Sequence, residues 1–124
     1  MKKCPECDLS FYLDGMFDVN EFTKIIQINP DEYEMTEENC HWEIKYSIEN
    51  YDDFDTIMKD IVGRLKGKED LIIEYCKKYD LESMLSIGIV GKITYFPDIV
   101  LSPDVSLFFG RLNTTIDIDT VAYR

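Results

Sequence analysis

The chain has 124 residues, of which 45% are hydrophobic and 31% are charged, and its formal net charge is −12. This length and composition predict one folded domain and exclude a disordered or collagen-like chain. An acidic surface repels phosphate groups, so we expect the protein to bind neither nucleic acid nor an anionic membrane. We see no apolar run near the length of a membrane span and no signal peptide, so we expect a cytoplasmic protein with reduced cysteines.

The first predicted elements are a strand, a helix and a second strand. Leu9–Leu13 alternates apolar and polar residues, which is typical of a strand. Asp18 can cap the helix that follows, and Glu21 would complete a capping-box-like pair. Residues 41–48 alternate strictly, with Trp42 on the apolar side. They predict a half-buried strand with Trp42 in the core.

Two helices and a central strand are predicted next. Apolar residues recur at helical spacing from Phe54 to Leu65, and Gly67 would end this helix. Lys68–Tyr79 has the same periodicity. Met84–Val90 is apolar nearly throughout, which favours a central strand covered on both faces.

The last third of the chain predicts a turn, a helix and a strand. Lys92–Phe96 could pair back on the central strand through Gly91. Ser102 is a strong N-cap because proline and aspartate follow it. Thr114–Tyr123 alternates as a final strand.

These elements predict a single α+β domain at residues 8–124, preceded by a tail at residues 1–7. The order and the alternating strands favour a mainly antiparallel sheet with helices packed on one face. A split-βαβ, ferredoxin-like arrangement is the specific expectation.

Negative charge is concentrated between residues 28 and 55, where ten carboxylates face one lysine, Lys45. Such a run can be a solvated face, a docking surface for a basic partner or, least of all, a hard-cation site. Under the docking interpretation, aromatic residues in the run would act as anchors. The predicted partner-binding residues are Asp31, Glu32, Tyr33, Glu34, Glu37, Glu38, Tyr51, Asp52, Asp53 and Asp55, with Phe54 as a further anchor.

The four cysteines leave three interpretations open. Cys4 and Cys7 form a C-x₂-C pair that could hold zinc, with Cys40 or His41 as a further ligand. A strand that reached back to Cys40 would point Cys40 and His41 to opposite faces. The pair could also be a redox dithiol, or an exposed pair without a function. Cys76 is expected in the core.

The acid–base candidates are few. His41 is the one histidine, and the alternation places it beside Glu43 on the solvated side of its strand. Asp117 and Asp119 share one face of the final strand, where they could bind a cation or act as acid and base, or simply protect a sheet edge.

Several segments, in this order and spacing, carry a resemblance to a known family. They are Phe17–Phe22, Ile26–Pro30, Trp42, the helix that ends at Leu65, Leu85–Ile87, Leu101–Pro103 with Phe108 and Phe109, and Ile116–Asp119. Together they resemble the small bacterial proteins of domain-of-unknown-function family 4279, from about Phe17 to Tyr123, with the cysteine pair outside. The resemblance implies a cytoplasmic bacterial α+β domain and brings no established catalytic residues. More loosely, such small acidic domains resemble immunity proteins that are paired with secreted toxins.

We therefore expect a non-enzymatic binding module, with an immunity-type inhibitor of a basic, nuclease-like toxin as its specific form. Its carboxylates would occupy the lysines and arginines that a nuclease offers to phosphate. The alternatives are a zinc-stabilised domain that uses Cys4 and Cys7, and an enzyme that uses Asp117 and Asp119.

Overall fold

A computed structural model describes residues 6–49 and 53–124. Its strands are β1 Glu6–Gly15, β2 Glu32–Met35, β3 Cys40–Ile48, β4 Glu82–Lys92 and β5 Thr115–Tyr123. Its helices are α1 Val19–Ile26, α2 Phe54–Leu65, α3 Glu69–Tyr79 and α4 Pro103–Arg111, with a short 3₁₀ turn at Ile93–Tyr95. The predicted α+β class is confirmed.

The five strands form one mixed sheet in the order β2-β3-β1-β4-β5. Neighbouring strands are antiparallel except β4 and β5, which run parallel. Strands β1 and β2 are parallel to each other with β3 inserted between them, and α1 connects them. This is the split-βαβ arrangement that the sequence predicts, extended by α3, α4 and the edge strand β5.

One face of the sheet is packed and the other is open. Side chains alternate across a strand, and in β1 the odd-numbered residues from Cys7 to Leu13 are all buried whereas the even-numbered residues are half-buried or exposed. The same alternation holds in β3 and β4. Buried residues of all four helices belong to the single core on the packed face. We call the other face of the sheet, which carries the even-numbered residues of β1, the open face.

The packed face is centred on aromatic side chains. Trp42 is fully buried, as predicted, and its ring contacts Phe11 and Phe22 with ring centroids 6.4 and 5.1 Å apart. The indole N–H of Trp42 donates to Thr23 in α1. Phe109 of α4 packs against Phe11. These contacts fix the packed face of the sheet against the helices.

The start of α1 is capped by Asp18 as the sequence predicts, but Glu21 does not take the predicted part in the cap. Asp18 caps α1 by accepting from the backbone N–H of Asn20 and Glu21. The Glu21 carboxylate, expected in a capping-box-like pair, accepts instead from the hydroxyls of Tyr75 and Tyr79 in α3. It therefore joins α1 to α3 rather than closing the cap.

Three strand predictions are corrected. β1 begins at Glu6, so Cys7 belongs to the sheet and not to a tail. β4 continues to Lys92 and a 3₁₀ turn follows, so no hairpin forms through Gly91. β4 is also covered on one face only, because the small residues Ser86 and Gly88 on its other side are half-exposed. Met84 and Val90, which lie on that same side, made both sides look apolar in the sequence.

Candidate functional site

The acidic run between residues 28 and 55 does not form one patch. Glu32 and Glu34 lie on the open face, because they pair in register with Glu43 and His41. Tyr33 pairs with buried Trp42, so it lies on the packed side of the edge strand, where it is 62% exposed. The two carboxylates and the predicted aromatic anchor therefore face opposite ways.

The other members of the run are further apart. Glu37 and Glu38 lie in the exposed turn between β2 and β3, and the Asp31 carboxylate accepts from the backbone N–H of Lys45. Asp53 and Asp55 stand at the start of α2, which follows the far end of β3. Phe54 beside them is buried in the core, so it is not an exposed anchor.

Glu34 pairs with His41, near the start of β3, whereas Asp53 follows the end of β3 at Ile48. His41 and Ile48 are seven residues apart along the extended strand, which is about 23 Å. The predicted single surface is corrected accordingly. Tyr51 and Asp52 lie outside the described residues.

The open face instead collects carboxylates from all five strands. They share the solvent side of the sheet and are Glu6, Asp8, Asp14, Glu32, Glu34, Glu43, Glu82, Asp117 and Asp119. The lysines on the same face are Lys45 and Lys92. Lys45 contacts Glu32 at 3.0 Å and Glu43 at 3.9 Å. Nine carboxylates against two lysines make this face strongly negative.

His41 lies on this acidic face near the start of β3, between Glu34 of β2 and Asp14 of β1. Its Nδ1 is 2.5 Å from Oδ1 of Asp14 on β1, and its Nε2 is 2.5 Å from Oε1 of Glu43 on its own strand. Its side chain is 24% exposed. Burial lowers the pKa of His41, but the hydrogen bonds to Asp14 and Glu43 raise that pKa by more, so the imidazole is held in its charged form to a higher pH than usual. The predicted neighbour Glu43 is confirmed, and Asp14 is added.

Tyr12 forms the centre of the surface. Its ring centroid lies 5.1 Å from that of His41. Burial raises the pKa of Tyr12, and the charges of Asp14, Asp117, Glu43 and Glu82 raise it further. These four carboxylates come from four strands and act on one hydroxyl, so the negative potential of the open face is shared across the sheet.

An exposed apolar strip lies on the open face at the end of the sheet where β4 and β5 finish. Val90 of β4 and Val121 of β5 are register partners and are 42% and 54% exposed. Tyr123 follows on the same side at 49% exposure. The open face thus combines a charged area with an exposed apolar area, and such a combination is typical of surfaces that bind protein.

The predicted ligand set for zinc is not brought together. Cys7 pairs with Ile48 at one end of β3, and Cys40 pairs with Gly15 at the other end, eight residues or about 26 Å away along β1. Cys40 is buried, whereas His41 points to the open face, as expected for successive strand residues. Cys4 lies outside the described residues. Within residues 6–49 and 53–124 no group of three or more potential ligands is close enough to hold a metal ion.

The thiol of Cys7 is buried and that of Cys76 is partly buried against the core. Burial, helped by the Asp8 charge, raises the pKa of Cys7 to about 11. Burial alone raises the pKa of Cys76 to about 11, in keeping with its predicted place beside the core. A raised thiol pKa disfavours the thiolate, which is the reactive form of cysteine, at neutral pH.

Asp117 and Asp119 share a face of β5, as the alternation predicts, and both are exposed. They do not line the cavity between α2, α3 and α4 or the two cavities beside Leu81 and Asn113. The cavity between these three helices has a volume of about 530 Å³ and lies on the helix side of the sheet. Both carboxylates therefore lie on an exposed strand face.

The comparisons with known proteins show the family of the chain. The family model described as domain of unknown function DUF4279 matches residues 4–123. The chain belongs to this family. The DUF4279 match starts at residue 4, so it includes the cysteine pair that we expected to lie outside the family pattern. No curated protein and no solved structure was found to match, and no described helix has the length and apolar character to cross a membrane.

The sequence did not indicate that Tyr12, Asp14 and Glu82 belong to the candidate site. Each is one polar residue in an ordinary strand pattern, and they meet His41 only through the register of β1 with β3 and β4. The alternation of β1 was the one available signal, because it places Tyr12 and Asp14 on its solvent side.

Proposed function

We propose that this DUF4279 protein is a non-catalytic binding module that holds a basic protein on its open face. The observation that carries the proposal is the convergence of nine carboxylates from five strands on a sheet face that no described helix covers. Clustered charge of one sign steers a partner of the opposite sign and selects against like-charged proteins.

The apolar strip supports a protein rather than a small cation as the partner. Val90, Val121 and Tyr123 add exposed apolar area beside the carboxylates. Affinity in protein interfaces is concentrated in a few desolvated apolar and aromatic contacts, whereas charge sets the association rate. A basic protein with an apolar rim would use both parts of the open face.

The specific form that we propose is an immunity-type inhibitor of a basic, nuclease-like toxin in the bacterial cytoplasm. Such a toxin offers lysines and arginines to phosphate, and the open face offers carboxylates to the same side chains. Inhibition would follow from occlusion of the phosphate-binding surface. It requires no group on this protein that takes part in a reaction.

Site-specific photo-crosslinking in the source cells tests the binding proposal. A photoreactive residue replaces Met84, which lies between Tyr12 and Thr115 on the open face, or Leu71, which is exposed on α3. We expect a basic protein to be captured at position 84 and not at position 71. Capture at position 71 alone, capture of an acidic protein, or no capture at position 84 would contradict the proposal.

The captured protein then tests the inhibitor proposal. Its purified form should have nuclease activity that one equivalent of this protein suppresses. A basic partner whose activity is unchanged by saturating amounts of this protein would overturn the inhibitor proposal and leave the binding proposal in place.

A further inference from the structure

The two edges of the sheet are built differently. β2 is a four-residue edge strand that carries Glu32 and Glu34, whereas β5 is a nine-residue edge strand. β5 contains no proline or lysine, two residues with which proteins commonly protect an exposed edge, and the charges it carries are Asp117 and Asp119, which discourage pairing with another acidic strand. In the part of the chain that the structure describes, no strand pairs with the outer side of β5.

The two faces of β5 differ in chemistry. On the packed side its residues are uncharged, and Ile116 packs against the core whereas Ile118 is 43% exposed. On the open face Asp117 and Asp119 are both exposed. A strand added to this edge would thus meet an apolar row on one side and two carboxylates on the other.

We propose that the outer edge of β5 binds an extended segment of the basic partner, in which basic and apolar residues alternate, as a sixth strand. This inference rests on the proposed function and names how the partner is held. Main-chain hydrogen bonds to the edge would give affinity, and alternate side chains would give specificity. Lysines or arginines would lie beside Asp117 and Asp119, and apolar side chains would cover Ile118.

Charge argues for this occupant over a second copy of the chain. Two copies would bring together molecules of net charge −12, each with Asp117 and Asp119 on the joining strand. Like charges on neighbouring strands oppose pairing, and opposite charges favour it. A segment in which basic and apolar residues alternate would place its basic residues beside Asp117 and Asp119 and its apolar residues beside Ile118.

The probe is a nine-residue synthetic peptide of alternating lysine and valine, with a control peptide that has glutamate in place of lysine. We expect the lysine peptide to bind and the glutamate peptide not to bind. Amide hydrogens of β5 should exchange at least tenfold more slowly in the complex. In an added strand, alternate backbone N–H groups point toward the edge of β5 and the others point to solvent. N-methylation of the set that points toward β5 should therefore abolish binding, whereas N-methylation of the solvent-facing set should leave binding unchanged.

Ile118→Lys places a charge on the apolar side of the edge and should weaken peptide binding at least tenfold. Leu71→Lys on α3 is the matched control, because it makes the same charge change at 42% rather than 43% exposure. It should bind the peptide as the unchanged protein does.

Three results would overturn the strand addition. The first is peptide binding without slower exchange in β5 and without an effect of N-methylation, which would indicate charge attraction to the open face alone. The second is concentration-dependent dimerisation that protects β5 and excludes the peptide, and the third is no peptide binding. Crosslinking at position 84 reports on the proposed function independently of all three.

Discussion

Replacement of His41 by glutamine should destabilise the protein more at pH 5.5 than at pH 8.5. The unchanged imidazolium donates to Asp14 and Glu43, whereas the glutamine amide cannot donate to both in the same geometry. A hydrogen bond to a charged group contributes about 1.5–3 kcal/mol when it is buried, and exposed ion pairs contribute less than about 1 kcal/mol. The His41 and Asp14 side chains are 24% and 36% exposed, so their contact is neither fully buried nor fully exposed. We therefore expect the variant to lose about 2 kcal/mol of the free energy of unfolding at pH 5.5.

The sign of the pH dependence follows from the upward shift of the His41 pKa. Burial lowers that pKa, and the two carboxylate hydrogen bonds raise it by more. The folded protein therefore binds the proton more tightly than the unfolded chain, in which histidine ionises near pH 6.5. The stabilisation is complete below about pH 6.5 and is lost as the pH rises through the folded pKa. At pH 8.5 we expect a loss of about 1 kcal/mol or less.

Urea unfolding at the two pH values, with both proteins measured in the same buffers, gives the comparison. Lys59→Gln is the control, because it removes a surface pair with Asp55 in which both side chains are more than half exposed. It should change the free energy of unfolding by less than about 0.5 kcal/mol at either pH. If the His41 variant lost the same free energy of unfolding at both pH values, or lost more at pH 8.5, the ion pairs of His41 with Asp14 and Glu43 would not stabilise the fold in the way proposed.

Three further predictions concern the framework. Gly15→Ala should lower the free energy of unfolding by about 2 kcal/mol, because φ is +144° and the added Cβ would lie 2.5 Å from Leu81 Cδ2. Gly63→Ala, in an open helical position, should raise the free energy of unfolding by about 0.5–1 kcal/mol. Equal effects of the two variants in thermal unfolding would contradict this prediction. Asp18→Ala should cost about 1 kcal/mol through loss of the α1 cap, and an unchanged urea midpoint would argue against the cap. Iodoacetamide at pH 8 should label Cys7 far more slowly in folded than in urea-unfolded protein, because burial raises its thiol pKa to about 11; labelling at the unfolded rate would show that the thiol is accessible.

Local patterns were sufficient to predict most of the elements. The apolar spacing from Phe54 to Leu65 gives α2 with the observed bounds, and Ser102 caps α4 through the backbone N–H of Val105. Strand β2 escaped prediction because its alternation of Glu32 and Glu34 with Tyr33 and Met35 is only four residues long and lies within the acidic run. It is held by its pairing with β3, which is a tertiary contact.

The candidate site was predicted less completely, for the same reason. Glu43 beside His41 follows from i, i+2 spacing within one strand, but Asp14 joins them only through the pairing of β1 with β3. Glu82 and Asp117 reach Tyr12 across β4 and β5. A run of charge along the sequence could not reveal this, because successive residues of a strand point to opposite faces.

The association rate with the captured basic partner tests the central claim most directly. One variant neutralises Glu32, Glu34, Glu82 and Asp117 on the open face as amides, and a matched variant neutralises Asp53, Asp55, Asp70 and Glu74 on the helix side. Both changes raise the net charge by four. The account predicts that the open-face variant associates at least tenfold more slowly and with a weaker salt dependence, while the helix-side variant stays within about twofold of the unchanged protein. Equal rates for the two variants, or a larger loss in the helix-side variant, would contradict it.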